Sequence, residues 1–362
     1  MNIPNLEHPK FTVTELTSTP KTKRRWWRFI LGAVMVILLA WLIGRSGRII
    51  ITENTPWSSR LAQIVGINPP IPTEDPKDPN PMPEKEADRL DFLLLGIRGS
   101  DQKSIETEGG LLTDTILIAS INKTNGQTAL ISIPRDLSID MIVYSAKGAP
   151  VQVTGKINQA HERGLAKSDG LGVAQKIFSK VTGIYIDQVV MFDFNAFQSI
   201  VEQLGGIDVY LAQPFKENSQ WGYEFSLPAG NNHLDGQQAL YYVRSRFSSS
   251  DFDRSRRQQQ VIAAIKNKAL TLNMLKDPST IISLYKTLHN DIHTTLQLWD
   301  ISDLIKLANS FAAKSKIKNF SLTTDNFLYE TKTTKGEYIL LPKGDNFSEI
   351  QKALAGIVSA PN

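Results

Sequence analysis

Apolar and polar positions divide the chain into three regions. Phe29 to Gly44 runs for sixteen residues without a charge, about 24 Å as a helix and slightly short of a bilayer core of about 30 Å. Trp26, Trp27 and Trp41 suit the membrane interfaces, and Arg28, Arg45 and Arg48 can snorkel outward. The pattern predicts one transmembrane helix over 26–48. Residues 67–86 lack periodicity and hold seven of the chain's 18 prolines, the composition of a semi-rigid spacer. From 88 onward, short apolar runs alternate with helical spacing. Leu90–Gly96, Thr115–Ile121 and Thr128–Ile133 predict buried strands, and Asn125-Gly126 is a hairpin signal. Gly170–Val181 and Asn195–Leu204 predict helices, the second closed by Gly205-Gly206. Gln188–Phe192 and Ile207–Leu211 predict strands. Ala239–Val243, Gln258–Leu270, Pro278–Leu288 and Ile301–Phe311 predict helices, and Phe320–Leu322 and Tyr338–Leu341 final strands. Strands and helices mixed without strict alternation point to a layered α/β or α+β domain.

Charge fixes the orientation. The net charge of +4 is carried by residues 1–28, where Lys10, Lys21, Lys23, Arg24, Arg25 and Arg28 face only Glu7 and Glu15. The remaining chain is neutral, which argues against nucleic acid as a partner. The basic cluster before the membrane helix predicts a cytoplasmic N-terminus and an extracytoplasmic body. The expected organisation is a cytoplasmic tail over 1–25, the membrane helix over 26–48, a juxtamembrane and Pro-rich linker over 49–87, and a catalytic domain over 88–362. A cleaved signal peptide fits poorly, since the basic lead is long and no small-x-small site follows. No cysteine is present, so disulfides and thiolate metal sites are excluded.

The chemistry concentrates in Ala239–Gln260. This stretch holds Arg244, Arg246, Arg254, Arg256 and Arg257 beside an apolar run that should be buried. Arg244 and Arg246 share a face of an extended segment; Arg254, Arg257 and Gln258 share a helix face. Guanidinium forks suit phosphate or carboxylate oxygens. Asp101 follows the first strand, Asp114 precedes the second, and Arg135 follows the third, so all can meet at one sheet edge. A solvated charged helix and simple salt bridges are the bland alternatives. A divalent cation held by two or three carboxylates at that edge, with the arginines on phosphate oxygens, is the functional one. Gly155-Lys156 lacks phosphate-loop spacing. The histidines form no zinc-protease motif, and no G-x-S-x-G elbow occurs.

The chain resembles the LytR-CpsA-Psr family through LLLG at 93–96, LTDT at 112–115, SIPRD at 132–136 and KINQA at 156–160. LGGIDV at 204–209, LDGQQALYYVRSR at 234–246 and DFDRSRRQQQ at 251–260 follow in the same order. The resemblance implies a mixed α/β fold, an α-β-α layered domain around a mixed central sheet. It also implies an enzyme, a Mg²⁺-dependent phosphotransferase that moves a glycopolymer phosphate from a polyprenyl-pyrophosphate carrier to a peptidoglycan hydroxyl. Asp114, Arg135 and Asp101 match the catalytic positions, with Asp101 and Asp114 as metal ligands and Glu108 as rival to Asp101. Arg135, Arg244, Arg246, Arg254, Arg257 and Gln258 are the implied pyrophosphate contacts. A non-catalytic lipid-pyrophosphate-binding regulator and a pyrophosphatase remain alternatives.

Overall fold

The computed structural model describes residues 81–99, 110–144, 150–165, 169–218, 220–247, 249–272, 292–296 and 317–359. The tail and membrane helix expected over 1–48, nearly all of the expected linker and the helices expected at Pro278–Leu288 and Ile301–Phe311 lie outside them. Among the described residues, no helix is long and apolar enough to cross a membrane.

A six-stranded mixed sheet forms the centre. Its strands are β1 (Arg89–Gly96), β2 (Thr115–Asn122), β3 (Thr128–Ser132), β6 (Gln188–Phe192), β11 (Ile292–Thr294) and β12 (Ile317–Ser321), in the order β11-β6-β1-β2-β3-β12. The β1–β2–β3 meander is antiparallel, while β6 runs parallel to β1 and β12 parallel to β3. Asn125-Gly126 makes the β2–β3 turn, with Gly126 at φ 71°, a conformation that glycine adopts without a Cβ clash. The pairs Gly96↔Thr115 and Gly96↔Phe192 bring the end of β1, the start of β2 and the end of β6 to one edge.

Both faces of the sheet are covered, which explains near-continuous apolar runs such as LDFLLLG. On one face, Leu93, Leu95, Ile116, Ile118 and Ile131 pack with Phe178 of α2 (Gly170–Thr182) and Leu354 of α6 (Ser348–Ser359). The opposite side carries α5 (Asp251–Thr271), whose Gln259 Nε2 donates to the Phe320 carbonyl at 2.8 Å. The expected α-β-α layering is therefore observed. A second core joins α3 (Phe194–Gln203) and α4 (Gly236–Arg244) to two antiparallel strand pairs, β7 (Ile207–Leu211) with β10 (Gly230–Leu234) and, between them in the chain, β8 (Phe215–Glu217) with β9 (Phe225–Leu227).

Several elements depart from the sequence expectation. A hairpin of β4 (Ser138–Tyr144) and β5 (Pro150–Lys156) follows β3 and leads through a short helix, α1 (Ala160–Gly164), into α2. The final strand expected at Tyr338–Leu341 is β14 (Tyr338–Pro342), and it pairs with an unexpected β13 (Leu328–Lys332). Helix α5 starts seven residues before Gln258, because Ser250 and Asp253 form a reciprocal capping box. Arg244 closes α4 instead of lying on an extended segment.

Arg89 ties β1 to its neighbours by donating to Ser120 Oγ and to the Val358 carbonyl at the end of α6. Two residues on, Asp91 is 3% exposed. Burial pushes its carboxyl from 3.8 up to about 7, against the pull of Ser120 and Arg89. A raised folded-state pKa gives stability that is complete below about pH 4 and declines as pH rises toward 7. Denaturant titrations should show a smaller loss of unfolding free energy over that interval in Asp91→Asn than in the native protein. An identical slope would mean that Asp91 stays ionised in the fold.

Candidate functional site

The sheet edge defined by Gly96, Thr115 and Phe192 gathers the charged residues. Asp114 is fixed by its own main chain, whose N–H donates to the Gly96 carbonyl at 2.9 Å. Arg135 leaves the end of β3 after Ile133 bonds back to Ile116, and its Nη1 lies 2.5 Å from Asp114 Oδ1. From above, α5 lays two side chains across the start of β2. Arg254 Nη2 donates to the Asp114 carbonyl at 3.3 Å, and Gln258 Nε2 donates to Thr115 Oγ1 at 2.8 Å. The four-residue spacing of Arg254 and Gln258 is what places both on that face.

Among the described residues, positive charge outweighs negative charge here. Burial alone would lower the pKa of Arg135, but Asp114, Asp136 and Asp251 together hold it above its ordinary value. Arg254 is 6% exposed and ion-paired to Asp251 at 2.6 Å. Burial lowers its pKa, and Arg135 and Arg246 add to that despite Asp251 and Asp114. Arg244 is lowered by burial and then by Arg98. The Nε atoms of Arg135 and Arg254 are buried without a hydrogen-bond partner among the described residues. Arg135 Nε lies 3.5 Å from Asp136 Oδ2, an ion pair without hydrogen-bond geometry. Desolvated donors in excess of acceptors make an anion site.

An apolar pocket opens beside the arginines. It is lined by Gly96, Thr115, Leu117, Phe194, Phe197, Leu240, Val243, Arg244, Gln258 and Val261, among others. Arg244 forms its charged end. Its guanidinium lies 3.9 Å from the centre of the Phe194 ring and 5.0 Å from that of Trp221, which holds the cation by cation–π attraction.

The geometry sorts the residues named from sequence. Asp114, Arg135, Arg254 and Gln258 meet directly, and Arg244 lines the adjoining pocket. Arg246 is exposed, with its main-chain N–H fixed by Gln220 Oε1 at 2.8 Å, and its charge reaches Arg254. Arg257 is not among them. It turns under the end of α4, where it donates to the Tyr242 carbonyl at 2.9 Å and to the Ser245 carbonyl. One helical step of three residues is enough to separate it from Arg254. Arg256 is a surface residue paired with Asp253. Asp101 and Glu108 lie outside the described residues. Sequence reasoning missed Arg98, for which no spacing offered a signal. It also missed Asp251, whose i,i+3 position before Arg254 was a usable one.

The model of the LytR_cpsA_psr family matches residues 67–356. The chain belongs to the LytR-CpsA-Psr family. Among its relatives is the polyisoprenyl-teichoic acid–peptidoglycan teichoic acid transferase TagU of Oceanobacillus iheyensis. It is 28% identical over 346 residues, covering 92% of this chain and 95% of the relative. The enzyme of the same name from Enterococcus faecalis is 30% identical over 241 residues, covering 66% and 71%. Two solved structures share the fold. The protein gbs0355 of Streptococcus agalactiae has a TM-score of 0.60 at 20% identity, covering 76% of this chain and 89% of that one. TagT bound to LIIa-WTA has a TM-score of 0.56 at 24% identity, covering 80% and 99%.

The two neighbouring arginines make a sharp contrast. Arg257→Ala leaves two buried carbonyls without their donor and should cost about 1–3 kcal/mol of stability. Arg256→Ala should change stability by less than about 0.5 kcal/mol. Thermal and denaturant unfolding of both variants measure the difference.

Proposed function

We propose that the protein transfers a phosphate-linked glycopolymer from a polyprenyl-pyrophosphate carrier to a peptidoglycan hydroxyl at the outer face of the membrane. One observation carries this reading: an unbalanced guanidinium cluster shares its edge with an apolar pocket, with Arg244 common to both. A ligand matching both parts has a diphosphate joined to a long hydrocarbon. The relatives' names as polyisoprenyl-teichoic acid–peptidoglycan transferases support the same substrates and a transferase role.

In this reading the prenyl chain enters the pocket against Leu117, Phe197, Leu240 and Val261. Arg244 then meets the lipid-side phosphate, and Arg135 and Arg254 meet the sugar-side phosphate. An acceptor hydroxyl attacks the sugar-side phosphorus, and the bond to the lipid-side phosphate oxygen breaks. The new bond is a sugar phosphodiester, and polyprenyl phosphate leaves with the bonding electron pair. Charge grows on that leaving phosphate, where preorganised guanidinium groups stabilise it without reorganising. Asp114, oriented by Arg135, accepts or directs the proton of the attacking hydroxyl.

A Mg²⁺ ion suits this site. The Asp114 side chain is 38% exposed beyond its pair with Arg135, so it can serve as a ligand. Among the described residues no trio of carboxylates or histidines gathers around it. Few protein ligands, with substrate phosphates completing the shell, is how Mg²⁺ is commonly held. Asp114, with Asp101 from the loop after β1, would hold the ion, which when bound would supply further positive charge to the phosphate oxygens.

Asp114→Ala should lower the transfer rate by on the order of a hundredfold or more while the melting temperature stays near that of the native protein. Incubation with lipid-linked glycan pyrophosphate, Mg²⁺ and peptidoglycan oligomers, followed by mass spectrometry of the phosphodiester, measures it. Wild-type turnover in the variant would make Asp114 structural. Release of free glycan phosphate without the phosphodiester would point instead to a hydrolase. The placement outside the membrane rests on the charge asymmetry around Phe29–Gly44. Protease added to intact cells should digest the domain after the Pro-rich linker and spare residues 1–25. Full protection of that domain would contradict the orientation.

A further inference from the structure

The hairpin of β13 and β14 attaches to the chain immediately past Arg135. Leu340 N–H donates to the Asp136 carbonyl at 2.9 Å, and Leu137 bridges to Leu340. In the hairpin register Tyr338 opposes Lys332 and Glu330 opposes Leu340. Directly opposed residues share a face, and alternate residues continue it. The face that buries Leu328 and Leu340 therefore extends outward as Glu330, Lys332 and Tyr338. Tyr338 is 40% exposed. Burial, then the carboxylates of Glu330, Asp136 and Asp251, push its hydroxyl up to about 12, so it remains a donor. Asp251 is the partner of Arg254, and Asp136 is paired with Lys156 at 2.6 Å. This wall thus adjoins the guanidinium cluster.

Its position relative to the pocket gives it a role. The pocket lies against the ends of β6, β1 and β2, and its lining includes no residue of β3, β12 or this hairpin. Along the strand order, Asp114 and Arg135 stand between pocket and hairpin. Phosphoryl transfer places the attacking and leaving oxygens roughly in line across the phosphorus. With the lipid leaving group in the pocket, the acceptor hydroxyl must arrive from the hairpin side. An exposed aromatic ring beside carboxylates is chemistry suited to a sugar chain. The ring covers the C–H face, and the carboxylates accept from hydroxyls.

We propose that Tyr338, with Glu330, Lys332, Asp136 and Asp251, forms the subsite for the acceptor glycan strand. This inference rests on the transferase reading above. The test uses the full chain in detergent, a lipid-linked glycan pyrophosphate and a soluble peptidoglycan oligomer, varying each substrate in turn. Tyr338→Ala should raise the half-saturating acceptor concentration about tenfold, the effect of removing one aromatic anchor. The donor half-saturation and the melting temperature should stay unchanged. Tyr338→Phe keeps the ring and should restore acceptor dependence to within about threefold of native. Glu330→Gln, which keeps both strand and ring, should shift acceptor dependence in the same direction as Tyr338→Ala. Native acceptor dependence in both Tyr338→Ala and Glu330→Gln would overturn the subsite. So would a rise confined to donor half-saturation, which would give the wall to the donor glycan. Absence of any transfer product from the native protein would instead overturn the transferase reading itself.

Discussion

The structure depends on guanidinium groups gathered at one sheet edge around Asp114. Asp114 satisfies Arg135 through its side chain and Arg254 through its carbonyl. Asp251 takes a second share of Arg254, yet the charges of Arg98, Arg244 and Arg246 also reach the cluster. Burying an ion is expensive unless it is paired and hydrogen-bonded, and among the described residues two guanidinium Nε atoms here have no hydrogen-bond acceptor. In the proposed function, an anionic ligand supplies acceptors to these groups.

The sheet topology makes that arrangement possible. β1, β3 and β6 all run toward the edge where β2 begins, so segments far apart in sequence end side by side. The capping box at Ser250 starts α5 early enough for Arg254 to fall in its first turns, directly over Asp114. Apolar packing between α5, α4 and the sheet stops short of closure, and the gap is the pocket. Charge and hydrocarbon surface therefore meet at Arg244, whose planar cation tolerates both through the rings of Phe194 and Trp221.

What was legible in the sequence follows from burial. Strands covered on both faces, such as Leu90–Gly96 and Gln188–Phe192, carry unbroken apolar runs and were found to within a residue or two. The β8, β9 and β11 strands are three residues long, and β5 is mostly polar and exposed, so neither length nor pattern marked them. Asp114, Arg135, Arg254 and Gln258 were legible because motif spacing and sheet-edge logic agreed on them. Arg257 shows the limit: on helix spacing it belongs with Arg254, but a 60° rotation takes it to the carbonyls ending α4. The pocket was not legible, because its walls come from three strands and three helices with no common sequence signal.

The central claim is that one ligand bridges the arginine cluster and the pocket. A crystal structure of the domain that follows the Pro-rich segment, with a non-reactive polyprenyl-pyrophosphate glycan analogue, tests it most directly. The account predicts phosphate oxygens within hydrogen-bonding reach of Arg135, Arg254 and Arg244, with the isoprenoid chain running past Leu117, Leu240 and Val261. A chain lying outside that pocket, or a diphosphate bound away from Asp114 and Arg135, would contradict it.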